Sequence, residues 1–329
     1  MLNLTDNLST VEERIAARLV AKLGLEPPVD VERLAKSFAT VTTKDFPQPI
    51  DGLCLDLNVK GKQPKIWIAK GLHRVRRRFT LAHEIGHIRI PWHTGTIIDE
   101  IDIPNSREKS RYREMEAEAN RFAAELLMPT AWVLRTIERT SHPIALMKLM
   151  IEVADVSHPS ALFRVKQLGP AGYIGAVTRD GVVSWSGRTK GTRTSAPPIG
   201  LHVSEIDREI LDDEKVISTS SEDYIWWKVR ETSDIPAQGD EPWREILDRI
   251  LLFLPETARP HYKSRVNAVI GSAFGRIREN KTPENYYNAA LQSCSNRHDR
   301  DDDLQLIFTH PDFRRYLIAR CYHQADRYT

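Results

Sequence analysis

The chain has 329 residues, of which 28% are charged and 41% hydrophobic, and this composition excludes collagen, coiled coils and wholly disordered chains. Its 47 Lys and Arg nearly balance its 45 Asp and Glu, so a formal net charge of +2 gives no overall attraction toward nucleic acid. At about 150 residues per domain, the length predicts roughly two domains.

The cysteines and the hydropathy pattern predict where the protein works. Cys54, Cys294 and Cys321 are odd in number and widely spaced, which favours buried free thiols in a reducing compartment. The polar start at 1–10 lacks the apolar stretch of a signal peptide, and no apolar run approaches the roughly 18 residues of a membrane span. We therefore expect a cytoplasmic protein with no membrane association.

The first half of the chain alternates helical and strand patterns. Gly24, the prolines after it, Pro91 and Pro129 are the clearest helix ends. Alternating apolar residues predict a strand at 64–69, and residues 97–105 are typical of a loop. The predicted helices span 10–25, 30–38, 75–90, 106–128, 131–139 and, as two short pieces, 144–168.

The pattern changes after Gly169-Pro170. Residues 173–186 alternate around Arg179-Asp180-Gly181, which predicts a β-hairpin. An exposed loop is predicted at 187–198, with Arg188, Lys190 and Arg193 as its basic residues, then a strand at 223–229 and helices at 243–254, 261–279 and 311–326. We therefore expect an α+β domain at 1–168, a mixed strand and loop region at 169–240 that acts as a sensor or recognition module, and a helical region at 241–329.

The segment FTLAHEIGHIRI at 79–90 carries the clearest chemical signal. His83 and His87 are four residues apart on a predicted helix, so both imidazoles leave the same face and can bind one metal ion. Glu84 lies beside them and can accept a proton from a water on that metal. The competing interpretation is a pair of solvent-exposed histidines on an amphipathic helix.

A catalytic zinc site needs a third protein ligand, and the next predicted helix offers several carboxylates. These acids are Glu114, Glu116, Glu118 and Glu125. Glu116 is the best candidate because it shares a side with Ala119 and Ala123, whose small side chains let the two helices approach closely. Glu118 is a candidate for supporting a ligand or capping the helix, and Glu114 is the fallback ligand.

At this point the sequence resembles the ImmA/IrrE family of zinc metallopeptidases over about residues 14–168. The likeness depends on RRRFTLAHEIGH at 76–87 followed by EAEANRFAAELLMP at 116–129. Shorter similar stretches are found at 27–36, 50–53 and 151–168.

The resemblance implies a zincin-like domain of helices with a small mixed sheet, one Zn²⁺ per chain held by His83, His87 and Glu116, and Glu84 as general base. It implies an endopeptidase that cleaves a separately encoded helix-turn-helix repressor or antitoxin-type partner, in a stress, mobile-element or phage-defence response. The alternative is a non-proteolytic zinc-containing regulator or toxin–antitoxin component, which binds a partner protein or nucleic acid through its C-terminal half.

Three further expectations concern the surroundings of this site. The strand at 65–69 is expected to pair with an extended substrate at a sheet edge. The basic run Arg74, Arg76, Arg77 and Arg78 is expected to form a solvated helix face. Tyr112, His93 and Arg89 are candidates for stabilising the oxyanion of the reaction, although a structural role is expected for each.

Overall fold

The computed structural model describes residues 10–47, 50–98, 106–140, 142–192, 194–206, 208, 211–230, 235–294 and 302–327. The chain divides into two compact units, Met1–Gly169 and Pro170–Thr329. Each unit combines one four-stranded sheet with helices, so the predicted α+β fold class is confirmed.

The first unit alternates helices and strands in its N-terminal half and is helical afterwards. Its elements are α1 (Val11–Leu23), α2 (Val31–Phe38), β1 (Thr40–Lys44), β2 (Gly52–Leu57), β3 (Lys65–Ala69), α3 (Arg74–Arg89), β4 (Gly95–Ile98), α4 (Ser106–Leu127), α5 (Thr130–Ile137), α6 (Pro143–Leu149) and α7 (His158–Leu168). A π-helical turn, Met150–Ala154, extends α6.

The ends of the first helices follow from their local sequence. The Glu13 carboxylate accepts a hydrogen bond from the Thr10 backbone N–H at the start of α1, and Gly24 ends that helix in the left-handed conformation with φ 59°. The Asp30 carboxylate accepts a hydrogen bond from the Arg33 backbone N–H and so starts α2. These bounds agree with the predicted helices to within a few residues.

The sheet of the first unit has the strand order β1-β3-β2-β4. Strand β3 pairs in parallel with β1 and antiparallel with β2, so both of its backbone edges are already hydrogen-bonded. The expectation that 65–69 receives an extended substrate at a sheet edge is therefore wrong, because alternation predicts a strand but not its place in the sheet.

Strands β2 and β4 of this sheet were not expected from the sequence. Strand β2 contains only six residues, and β4 contains Ile97 and Ile98, which the sequence pattern placed in a loop. Their partners lie far along the chain, since β2 pairs with both β3 and β4. The remainder of that predicted loop, 99–105, lies outside the described residues.

The basic run at the start of α3 forms the solvated face expected from the sequence only in part: Arg74 and Arg76 are 69% and 65% exposed, whereas Arg77 and Arg78 are 28% and 15% exposed. Each arginine is paired with a carboxylate from another segment: Arg74 and Arg78 with Asp155, Arg76 with Asp51, and Arg77 with Glu32. Arg78 also donates to the backbone carbonyls of Val29 and Ala154. The less exposed Arg77 and Arg78 therefore link α3 to neighbouring segments, and helical spacing alone does not predict these contacts.

The second unit begins with an antiparallel sheet of order β6-β5-β8-β7 and continues with helices. Its elements are β5 (Tyr173–Arg179), β6 (Val182–Arg188), β7 (Leu211–Ser218), β8 (Asp223–Val229), α8 (Trp243–Ile250), α9 (Arg259–Phe274), α10 (Pro283–Cys294), α11 (Asp302–Phe308) and α12 (Phe313–Ala325).

The predicted hairpin is present, and its two-residue turn is Asp180-Gly181, with φ values of 51° and 77°. Strand β7 was not predicted, because it carries four consecutive charged residues in the sequence DDEK. Such charges suit its place at the edge of the sheet.

The loop predicted at 187–198 is only partly exposed. Thr189, Thr192 and Thr194 are buried, and the Thr192 hydroxyl accepts hydrogen bonds from the backbone N–H groups of Gly172 and Tyr173. The backbone needs partners at the start of β5, and this loop supplies them. Arg193, one of its predicted basic residues, lies outside the described residues.

All three cysteines are buried free thiols, as predicted. Among the described helices, none combines the length and the apolar character needed to cross a membrane.

One fully buried ion pair joins the last helices of the first unit. The Arg164 guanidinium on α7 contacts the Glu125 carboxylate on α4, and it also donates to the Met128 carbonyl. Glu125 accepts hydrogen bonds from the backbone N–H and the hydroxyl of Thr130, at the start of α5. The pair therefore links α4, α5 and α7.

We expect Arg164→Met to lower the free energy of unfolding by about 3–5 kcal/mol, because the Glu125 carboxylate is left buried without its cation. The matched control is Arg135→Met, whose partner Glu26 is exposed, and it should cost less than about 1 kcal/mol. Urea unfolding of the two variants beside the wild type measures the difference. Equal losses would contradict the importance given to the buried pair.

Candidate metal centre

The middle of α3 buries a line of polar side chains. His83, Glu84 and His87 are at most 5% exposed, and Leu81 and Ile85 beside them are fully buried. This burial excludes the interpretation of the two histidines as a solvent-exposed pair. Polar groups are found in such a position only when other groups compensate for the lost water.

The structure brings both imidazoles and one carboxylate to a single point. The Nε2 atoms of His83 and His87 are 2.9 Å apart. The Glu116 carboxylate places Oε2 3.1 Å from His83 Nε2 and Oε1 3.3 Å from His87 Nε2. Within the described part of the chain, these three residues form the one group of His, Cys, Asp or Glu side chains arranged to hold a metal ion.

Close packing of α3 against α4 brings Glu116 within reach. A Cβ atom on Gly86 would lie 3.3 Å from the Cα atom of Ala119, so the two backbones meet where both side chains are small. Ala119 and Ala123 are fully buried at this contact. Glu116 lies one helical turn before Ala119 and therefore faces the two histidines.

The other acids of α4 do not join the group. Glu114 is exposed. The Glu118 carboxylate accepts hydrogen bonds from Trp92 Nε1 at 2.7 Å and from His93 Nε2 at 2.8 Å. Glu125 belongs to the buried ion pair described above. Glu116 is thus the acid that the structure places with His83 and His87, and its action as a ligand stays a prediction.

The outer nitrogen of each histidine has a partner. His83 Nδ1 lies 3.0 Å from Asn120 Oδ1, and His87 Nδ1 lies 2.9 Å from His93 Nδ1. Both Nε2 atoms are left facing the shared point. Asn120 was not singled out from the sequence, although its position four residues after Glu116 on α4 places both on one helix face.

Of the three residues considered for stabilising an oxyanion, His93 and Arg89 make other contacts. Both ring nitrogens of His93 are engaged, and the Arg89 guanidinium stacks on the Phe38 ring at 5.0 Å. Tyr112 is half-buried on α4, four residues before Glu116, and its contribution stays a prediction.

Residues 35–158 match the Peptidase_M78 family, the IrrE N-terminal-like domain. These residues are similar to an IrrE N-terminal-like domain. The match includes His83, Glu84, His87 and Glu116, so the resemblance found from the sequence motifs is confirmed over these residues.

Other comparisons add little. No curated protein matches the chain. A Mycobacterium tuberculosis transcriptional regulator of known structure is similar over 71% of this chain and 96% of its own, with 11% sequence identity and a TM-score of 0.42. A likeness of this degree carries no argument about function.

Glu84 lies on the same helix as His83 and His87 but is not one of the three grouped residues. Burial raises the pKa of Glu84 to about 7, and its Oε1 atom is buried with no hydrogen-bond partner among the described residues. Gly52 at the start of β2 leaves the room for this carboxylate, because a Cβ atom there would lie 2.8 Å from Glu84 Oε1.

The protonation states of His87 and Glu116 favour the binding of a cation. Burial lowers the pKa of His87 to about 4, which keeps its imidazole neutral at physiological pH. Burial opposes ionisation of Glu116, yet its contacts with His83 and His87 hold the pKa of Glu116 well below its ordinary value. A neutral imidazole and an ionised carboxylate are the forms that bind a metal ion.

The raised pKa of Glu84 predicts how the stability of the metal-free protein depends on pH. Between pH 4.5 and about 7 the folded protein keeps a proton on Glu84 that the unfolded chain has lost. Wild-type stability therefore falls across this window as the pH rises, whereas the neutral amide of Glu84→Gln has no such loss. Relative to the variant, the wild type should lose on the order of 3 kcal/mol.

Urea unfolding of both proteins after chelator treatment, at pH 5 and at pH 8, measures this difference. A difference in stability that is the same at both pH values would contradict the assigned environment of Glu84.

Proposed function

We propose that the IrrE N-terminal-like domain is a zinc-dependent endopeptidase in which His83, His87 and Glu116 hold one Zn²⁺ per chain. The observation that carries the proposal is the meeting of two imidazole Nε2 atoms and one carboxylate at a buried point, with all three donors within 4.8 Å of one another. Nitrogen and carboxylate oxygen donors suit zinc, and three protein ligands are typical of a catalytic zinc rather than a structural one.

Glu84 is the second support for a catalytic site. A structural zinc normally takes four protein ligands and needs no base beside it. Here the described residues supply three candidate ligands, and Glu84 Oε1 is buried without a hydrogen-bond partner. A buried carboxylate of this kind can accept a proton from a water molecule, and this supports the peptidase over the non-proteolytic regulator.

When bound, zinc would lower the pKa of a coordinated water to about 7 and polarise the substrate carbonyl. Glu84 accepts the proton of the attacking water and later gives it to the leaving amine. Its pKa of about 7 matches both steps, because a group that must take and return a proton works best near the operating pH. Asn120 and His93 keep the outer nitrogens of the two histidines occupied.

The proposed substrate is a separately encoded helix-turn-helix repressor or antitoxin-type protein, cleaved in a stress, mobile-element or phage-defence response in the cytoplasm. The support is the sequence resemblance to ImmA/IrrE peptidases, strengthened by the match over 35–158. We assign recognition of that partner to residues 170–329, which form a unit of their own after the peptidase domain.

Metal analysis of the purified protein tests the ligand set. We expect one zinc per chain in the wild type, loss of zinc in His83→Ala and Glu116→Ala, and retention of zinc in Glu84→Gln. Retention in Glu116→Ala would show that the third ligand is wrong.

Cleavage of a repressor encoded beside the gene then tests the chemistry. Loss of the general base in Glu84→Gln should slow cleavage on the order of 10²–10⁴-fold while zinc stays bound. A wild type that binds zinc and a partner but cleaves nothing would favour the non-proteolytic regulator.

Gly52 offers a separate test of Glu84. A methyl group at position 52 would lie 2.7 Å from Thr80 Cγ2 and 2.8 Å from Glu84 Oε1, so Gly52→Ala should displace the carboxylate without touching the three ligands. Because a displacement of about 1 Å can cost on the order of 10²-fold in rate, we expect slower cleavage with unchanged zinc content. Gly271→Ala, where no atom lies within 4 Å of the added group, is the matched control. Equal activity in both variants would contradict this role of Gly52.

A further inference from the structure

A chain of hydrogen bonds continues outward from His87. His93, in the turn after α3, is fully buried, and its Nδ1 atom lies 2.9 Å from His87 Nδ1. On the far side of the ring, His93 Nε2 lies 2.8 Å from Glu118 Oε2. The order from the shared point outward is therefore His87, His93 and Glu118.

The proton positions in this series of hydrogen bonds follow from Glu118 at its outer end. The Glu118 carboxylate only accepts, so His93 Nε2 carries the proton and donates it to Glu118. The neutral His93 ring then has a lone pair on Nδ1, which accepts the hydrogen bond from His87 Nδ1–H. His87 Nε2 is left as a lone pair aimed at the shared point, which is the tautomer that binds a metal ion.

Hydrogen bonds from Asn58 and Trp92 hold His93 and Glu118 in place. The Asn58 side-chain amide donates to the His93 carbonyl at 2.7 Å and to the Pro91 carbonyl at 3.1 Å, which fixes the turn that carries His93. Trp92 Nε1 donates to the same Glu118 oxygen at 2.7 Å. The middle and the outer end of this series of hydrogen bonds are therefore each held by a residue other than the three candidate ligands.

His83 and His87 differ in the groups that contact their Nδ1 atoms. His83 Nδ1 contacts the neutral amide oxygen of Asn120, whereas His87 is backed by a second imidazole and a carboxylate. A histidine ligand whose outer N–H is fixed in this way is better oriented and more basic toward the metal. His93 is not itself placed to bind the metal, because both of its nitrogens point elsewhere.

We propose that His93 and Glu118 are positioning residues that fix the tautomer of His87 and thereby set the zinc affinity of the site. This inference rests on the proposed function, since it concerns the same metal site. It goes further by naming the acceptor atom on which the affinity depends, which is His93 Nδ1.

Zinc dissociation constants, measured on the full chain by competition with a chromophoric chelator, test the inference. His93→Phe keeps a ring but removes the acceptor, and we expect it to weaken zinc binding about 10- to 100-fold. His93→Asn restores an acceptor oxygen near the position of Nδ1, so its affinity should stay within a few-fold of the wild type. Glu118→Gln should weaken binding, and Glu114→Gln on the same helix should not.

Thermal unfolding of each metal-free variant separates loss of the fold from loss of affinity. Wild-type affinity in His93→Phe, or equal weakening in His93→Asn and His93→Phe, would overturn the inference while leaving the zinc site intact. If His93→Phe fails to fold, the zinc affinities of Glu118→Gln and Glu114→Gln test the inference instead. Equal affinities in these two variants would overturn it. A wild type that binds no zinc would instead contradict the proposed function, and the inference with it.

Discussion

The structure of the first unit depends on the burial of three polar side chains along one face of α3. Burying His83, Glu84 and His87 is unfavourable unless other groups compensate for the water that they lose. Asn120 and His93 occupy the outer nitrogens of the two histidines, and Glu116 faces their inner nitrogens. A cation at the shared point would satisfy the remaining lone pairs and so offset the cost of burying these side chains.

Small residues make this arrangement possible in two places. Gly86 and Ala119 let α3 and α4 approach closely enough for a carboxylate on one helix to reach imidazoles on the other. Gly52 leaves room for Glu84 beside the sheet, where no hydrogen-bond partner reaches its Oε1 atom within the described structure. The positions of Glu116 and Glu84, the proposed ligand and the proposed base, therefore both depend on small neighbouring residues.

The sequence predicts the local part of this site better than its surroundings. His83, Glu84 and His87 share one helix, so their spacing predicts their geometry, and the small residues near Glu116 indicate how the next helix approaches. The contact between His87 and His93 depends on a turn held by Asn58, a residue 35 positions earlier than His93. The interior place of β3 and the carboxylate partners of Arg74 and Arg76 likewise depend on segments distant in sequence, and local patterns do not contain that information.

A crystal structure of the zinc-loaded protein, with anomalous data collected at the zinc edge, tests the central claim most directly. We expect one anomalous peak, bound by His83 Nε2, His87 Nε2 and the Glu116 carboxylate, with at least one further position open to water and with Glu84 beside it but unbound. A peak elsewhere, or one bound by Glu84 in place of Glu116, would contradict the account.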